Sequence, residues 1–281
     1  MPVAHINDID IDYLIEGDGP ETVVMVNGLA DEKESWGYQT PDLLAAGYRV
    51  VTFDNRGVGK TTMPPGPYTT RQFAQDTKGL VDHLGLSAFH MVGTSMGGMI
   101  AQEYALAYGS DLQSLTLSST YMAPGPFCGR MFSLWADMAP VMGVATVMRD
   151  VTLWAFTRPF FETRAAELEE FEAAMALIAQ PLDAYLAQLS SIQTHDTTDR
   201  IGRITTPTLV IAGEEDILIP VELSRRLHAA IPRSQWLTTP GGHASIWEHP
   251  TPFNQAVIDF IGRHHSPAAA GPSTVEESVH G

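Results

Sequence analysis

Ser95 sits in Gly93-Thr94-Ser95-Met96-Gly97, directly after the apolar run 89–92 and ahead of residues 99–107, whose spacing predicts a helix. A serine in a sharp strand-to-helix turn can act as a nucleophile, because the turn lifts its hydroxyl above the carboxyl edge of a sheet. Such a turn leaves no room for flanking side chains, and Gly93 and Gly97 supply that room. The next helix would aim its unpaired N–H groups, with their partial positive charge, at an oxyanion formed there. The chemistry implied is acyl transfer.

A serine needs a base, and the base needs an orienting acid. Both lie downstream. Residues 208–213 read as a continuous buried strand, followed by Glu214, Glu215 and Asp216, with Pro220 opening a helix. Residues 235–239 read as another strand, ending in Pro240-Gly241-Gly242-His243. His243 is the candidate base. Asp216, just before the apolar run that precedes Pro220, is a candidate acid, with Glu214 and Glu215 as competitors.

The elements that must position these groups are legible as periodicities. Ile6, Ile9, Ile11, Tyr13 and Ile15 alternate with polar residues around Asn7-Asp8, the pattern of a hairpin at a sheet edge. Residues 23–26 and 48–53 read as buried strands, separated by a helix at 40–46 that Gly47 ends. Phe73, Leu80, Val81 and Leu84 mark one face of a helix over 70–84, ended by Gly85, and residues 115–117 close this half. Strands alternating with helices predict an α/β fold, a mostly parallel sheet covered on both faces. Beyond Tyr121 the strand-like runs vanish until about Thr205, and the segment reads as helical.

Up to about Gly262 the chain resembles the α/β-hydrolase superfamily. The resemblance rests on Val26-Asn27-Gly28-Leu29, on Asp54-Asn55-Arg56-Gly57-Val58-Gly59, on the Ser95 turn, and on the Asp216 and His243 loops, all in that family's order. Pro65-Gly66-Pro67-Tyr68 and Ser95-Met96-Gly97-Gly98 are further similar to the 3-oxoadipate enol-lactonases and related small esterases. The resemblance implies an α/β-hydrolase core over 1–120 and 206–263 and a helical cap over 121–205; residues 264–281, rich in Pro, Ala, Ser and Glu with no apolar period, are expected to be a disordered or loosely docked tail. It implies an oxyanion hole made by the backbone N–H groups of Leu29 and Met96. It favours Asp216 for the acid role. Asn27 stands where many relatives carry histidine, and it is counted with the substrate-side residues. Trp135 joins them because the similar lactonases place a cap tryptophan near substrate. Met122 and Trp154, among the cap's methionines and aromatics, are expected to line the same apolar pocket.

Composition narrows the function classes. A formal net charge of −17 argues against nucleic acid and against anionic membrane surfaces as partners. The single cysteine, Cys128, rules out an intrachain disulfide and a cysteine-cluster metal site. The first residues lack the pattern of a signal peptide and no apolar run approaches a membrane span, so a cytoplasmic enzyme is expected. Gly59-Lys60-Thr61 follows Asp54 where a phosphate loop needs glycine, and Thr62 occupies the third-glycine place of a dinucleotide fingerprint. The two histidines of 243–249 are not spaced as on a zinc helix. No cofactor or metal is therefore expected. The expected function is hydrolysis of a small, largely apolar ester or lactone through an acyl-enzyme, with an exposed cap edge that could pair two copies. Three alternatives stay open: a C–C bond hydrolase of ring-cleavage products, a cofactor-free perhydrolase or haloperoxidase, and a non-catalytic ligand receptor.

Overall fold

The structure, a computed structural model, describes residues 2–177 and 180–265. In chain order β1 (Val3–Ile6), β2 (Ile9–Glu16) and β3 (Thr22–Val26) precede α1 (Thr40–Ala45) and β4 (Arg49–Phe53). Then come α2 (Thr70–His83), β5 (Phe89–Thr94), α3 (Met96–Tyr108) and β6 (Leu112–Ser118). Five helices follow without an intervening strand among the described residues: α4 (Gly125–Met142), α5 (Val144–Ala155), α6 (Arg158–Thr163), α7 (Ala165–Leu177) and α8 (Leu182–Gln193). The chain resumes alternation with β7 (Thr208–Gly213), α9 (Val221–Ala230), β8 (Gln235–Thr239), α10 (Ser245–Glu248) and α11 (Pro250–Ile261).

The strands form one sheet in the order β1-β2-β4-β3-β5-β6-β7-β8. The β1–β2 and β2–β4 pairs are antiparallel and every other pair is parallel. The edge hairpin turns through Asn7 (φ 48°) and Asp8 (φ 64°), the left-handed pair that a two-residue hairpin loop demands. β3, β5 and β7 are buried along their whole length, because helices cover both faces of the sheet. Neighbouring residues of β5 feed opposite cores: Met91 joins Leu115, Leu117 and Ile100 on one side, and Val92 joins Ile211, Phe253 and Phe260 on the other.

One topological feature decides where a site can form. From β3 the chain moves to β4 on one flank and then returns to β5 on the other. The loops that leave β3 and β5 therefore diverge, opening a crevice at the carboxyl ends of these adjacent strands. The helix expected over 99–107 begins earlier, at Met96, so that Ser95 is its capping residue. No helix of the described residues is long and apolar enough to cross a membrane. Of the tail expected over 264–281, the part from residue 266 onward lies outside the described residues.

Candidate active site

Ser95 occupies the turn between β5 and α3 with φ 53° and ψ −118°, a backbone conformation that L residues adopt only under constraint. The constraint is visible on both sides. Its N–H donates to Ser118 O at 2.9 Å, and its carbonyl accepts from Thr120 Oγ1 at 2.9 Å and Gly98 N at 3.0 Å. A Cβ at Gly97 would lie 2.0 Å from the carbonyl oxygen of Val26, and one at Gly93 would lie 2.3 Å from that of Gly97. Both positions require glycine for close packing of α3 against the sheet.

Asp216 and His243 meet from separate loops. His243 Nδ1 and Asp216 Oδ2 are 2.9 Å apart, and Asp216 Oδ1 accepts the N–H of Ile219 at 2.9 Å. Asp216 is buried and is the one of the three acids that bonds His243, whereas Glu214 and Glu215 are exposed. Ser95 and His243 face one cavity of about 70 Å³ without a direct hydrogen bond between them among the described residues. Nucleophile–base contacts commonly tighten only when substrate is bound. Leu29 lines the same cavity, and Met96 is the first residue of α3, so its N–H has no intrahelical acceptor.

The loop after β3 is held from several directions. Trp36 Nε1 donates to Asn27 Oδ1 at 2.5 Å, Asn55 Nδ2 donates to Asn27 O at 3.2 Å, and Asn27 Nδ2 donates to Asp31 O at 3.2 Å. Ala30 is left-handed (φ 62°) and its N–H donates to Gln188 Oε1 of α8 at 3.1 Å. Asn27 is thus fully buried as the anchor of this loop and does not line the cavity, contrary to its expected place beside substrate. The carboxyl group that does reach the cavity from this loop is that of Asp31. Burial pushes its pKa up to about 7, against the pull of the His243 charge and of the Gly28 N–H.

The cavity wall differs in part from the expected one. Trp135 lines it, with its indole donating to Asp150 Oδ2 at 2.9 Å. Trp154 donates to the same oxygen at 3.2 Å but packs on Phe127 away from the cavity. Met122 is also off the cavity; it is half-buried, and its carbonyl accepts the Thr197 N–H at 3.0 Å. The wall is instead built around Phe156, Phe171 and Trp247, with ring centroids 5.1 to 6.3 Å apart, and Met148 and Met175 fill beside them.

Supporting polar groups were only partly legible in sequence. Glu248 is buried and accepts from Gly242 N at 2.7 Å, Thr157 N at 3.2 Å and Thr157 Oγ1 at 2.5 Å. Asp54 accepts the N–H groups of Lys33 and Lys60 at 2.8 and 3.0 Å, and Arg56 forks onto Asp76 at 2.7 and 2.9 Å. Both acids and Arg56 hold loops, with none of them on the cavity. Cys128 is buried with its thiol directed to Leu218 O at 3.6 Å, and burial raises its pKa to about 12, which leaves it unreactive.

An open, mostly parallel sheet, a serine at the constrained turn after a central strand, and an acid–histidine pair beyond later strands define the α/β hydrolases. The chain belongs to the alpha/beta hydrolase fold family, which matches residues 21–250. A relative from Pseudomonas savastanoi pv. phaseolicola, provisionally named carbamate hydrolase RutD, is 30% identical over 243 residues, 85% of this chain and 93% of its own. The enol-lactonase structure from Burkholderia xenovorans LB400 superposes with TM-score 0.86 at 25% identity, covering 93% of this chain and 100% of that one. A thermophilic esterase from Thermogutta terrifontis, solved with malate bound, gives 0.83 at 26% identity over 92% of this chain and 95% of its own.

Proposed function

We propose that this chain hydrolyses a small carboxylic ester or lactone through an acyl-enzyme on Ser95. The observation that carries the reading is the meeting of the constrained Ser95 and the Asp216-bound His243 on one apolar cavity. His243 Nε2 takes the Ser95 proton as Oγ attacks the carbonyl carbon. Asp216 fixes the tautomer through Nδ1 and stabilises the imidazolium. The Leu29 and Met96 N–H groups bind the tetrahedral oxyanion; losing one such donor typically costs about 3 kcal/mol of barrier. His243 returns its proton to the leaving alcohol, and water, deprotonated by His243, then cleaves the acyl-enzyme to the acid. The enol-lactonase and esterase likenesses support ester or lactone cleavage.

Carbamate cleavage is a second reading, favoured by the name of the RutD relative. The same attack would give a carbamoyl-enzyme, so the two readings share their machinery and differ in leaving group. The test is a panel of lactones, linear esters and carbamates, run beside labelling with a serine-directed phosphonate. The expected result is covalent labelling at Ser95, blocked in Ser95→Ala, with turnover of at least one panel member. Phosphonate labelling elsewhere, or none with no turnover, would overturn the proposal.

A further inference from the structure

Asp31 faces the cavity as an acid that the acyl-transfer steps leave unused. It is the one carboxyl group on the cavity wall, and no lysine or arginine lines that wall among the described residues. The other polar lining groups are Thr94, Thr152, Ser95 and His243. Thr152 is already engaged, its hydroxyl donating to Arg149 O at 2.7 Å and bonded to Glu172 Oε1 at 2.9 Å. Asp31 forms no salt bridge with a lysine or arginine among the described residues, while the Gly28 N–H and the His243 charge act on its carboxyl. Its position is close to the chemistry. A point built at Gly28 as a Cβ lies 2.6 Å from Asp31 Oδ2 and 3.6 Å from Ser95 Cβ, so both side chains flank it. The loop is held at Asn27 and Ala30, which fixes the backbone from which Asp31 projects.

We propose that Asp31 selects the substrate: the site takes short esters or lactones carrying a hydrogen-bond donor, a hydroxyl or an ammonium, close to the scissile carbonyl, and rejects those carrying a free carboxylate. The inference rests on the reading of Ser95 as nucleophile. A carboxyl group whose influences on this wall are the Gly28 N–H and the His243 charge keeps acceptor capacity that a donor on the ligand satisfies. A second carboxylate placed there meets like charge with no lysine or arginine on the wall to offset it, in a medium that screens poorly. Aliphatic substituents gain no partner and leave Asp31 desolvated. The volume of about 70 Å³ restricts the choice to short chains, since it holds roughly five water-sized spheres.

The test compares four methyl esters of matched length: butanoate, 3-hydroxypropanoate, the β-alanine ester and monomethyl succinate, assayed by methanol release at slightly alkaline pH. In the wild type, kcat/KM for the hydroxyl and ammonium esters is expected about tenfold or more above butanoate, with monomethyl succinate about tenfold or more below it. In Asp31→Asn the ratio of the β-alanine ester to monomethyl succinate should collapse by on the order of a hundredfold. A ratio that stays within about threefold of wild type in a variant still labelled at Ser95 overturns the inference. If Asp31→Asn does not fold, the wild-type ranking decides: monomethyl succinate as fast as butanoate overturns it. Hydrolysis of none of the four, with Ser95 unlabelled by phosphonate, is a different failure, that of the nucleophile itself, and the inference then falls with it.

Discussion

Glu248 Oε1 accepts the backbone N–H of Gly242 at 2.7 Å, one residue before His243, while Oε2 of the same carboxylate holds Thr157 between α5 and α6. Ala244 N adds a bond to Ala155 O at 2.9 Å on the other side of the histidine. One buried acid therefore fixes the loop of His243 to the helical segment that walls the cavity. The imidazole is aimed by packing against a distant part of the chain.

Glu248→Ala is expected to lower stability by about 3 kcal/mol, since it leaves three buried donors without acceptors. It should lower kcat by about a hundredfold through a misplaced His243. Glu248→Gln retains an amide oxygen and should recover a large part of both losses. Urea denaturation and ester kinetics on the two variants check this; a stability loss with kcat unchanged would limit Glu248 to a structural role.

In Asp216→Asn the amide oxygen stays on the Ile219 N–H and the NH2 faces His243 Nδ1, which holds the imidazole in the wrong tautomer. The expected fall in kcat is about four orders of magnitude, with little change in KM. Steady-state kinetics with an activated ester measures it.

Ser95→Ala should remove turnover while leaving a folded protein. Ser95→Gly should be equally inactive and more stable than Ser95→Ala by about 1–2 kcal/mol, because glycine adopts φ 53° and ψ −118° without strain. Equal melting temperatures for the two variants would remove the strain argument.

His195 is buried against Thr70 Oγ1 at 2.9 Å, and burial lowers its pKa from 6.5 to about 4. Glu103 and Asp196 pull it upward and Arg200 pushes it down, without overcoming burial. The unfolded chain thus binds the proton more readily between those values. Its contribution to stability is present above pH 6.5 and is lost as the pH falls toward 4. Denaturation curves between these limits should show a shallower acid loss in His195→Gln than in the wild type.

Asp31 has the opposite sign. Its pKa is raised from 3.8 to about 7, so the folded chain holds the proton more tightly. The stability it contributes is present below pH 3.8 and is lost as the pH rises through about 7. Asp31→Asn should flatten that slope. The same denaturation series, extended to pH 8, measures it.

Most of the frame was legible because it is written in short-range patterns. The run 89–92 and the glycines at 93 and 97 specify a strand and a close-packed turn within a dozen residues, and the turn is where that reading put it. The apolar run before Asp216 and the glycines before His243 gave two more loops at strand ends. Choosing Asp216 over Glu214 and Glu215 needed burial, because three adjacent acids have the same local pattern and only one is enclosed. The pocket wall was less legible. Trp135 and Trp154 bond the same oxygen of Asp150, yet only Trp135 meets the cavity, since the rotation of each helix decides which side chain faces inward.

The amino-acid order by itself determined the alternation of strands and helices, the strained serine turn, and three candidate groups in the order serine, acid, histidine. Those features depend on neighbours within one or two turns of chain, so local sterics and periodic burial suffice to encode them. Tertiary structure alone decided that Asn27 anchors a loop, that Glu248 steadies the histidine, and that Asp31 reaches the cavity. Each of those roles joins segments far apart along the chain, and only the packing of the complete fold brings them within bonding distance.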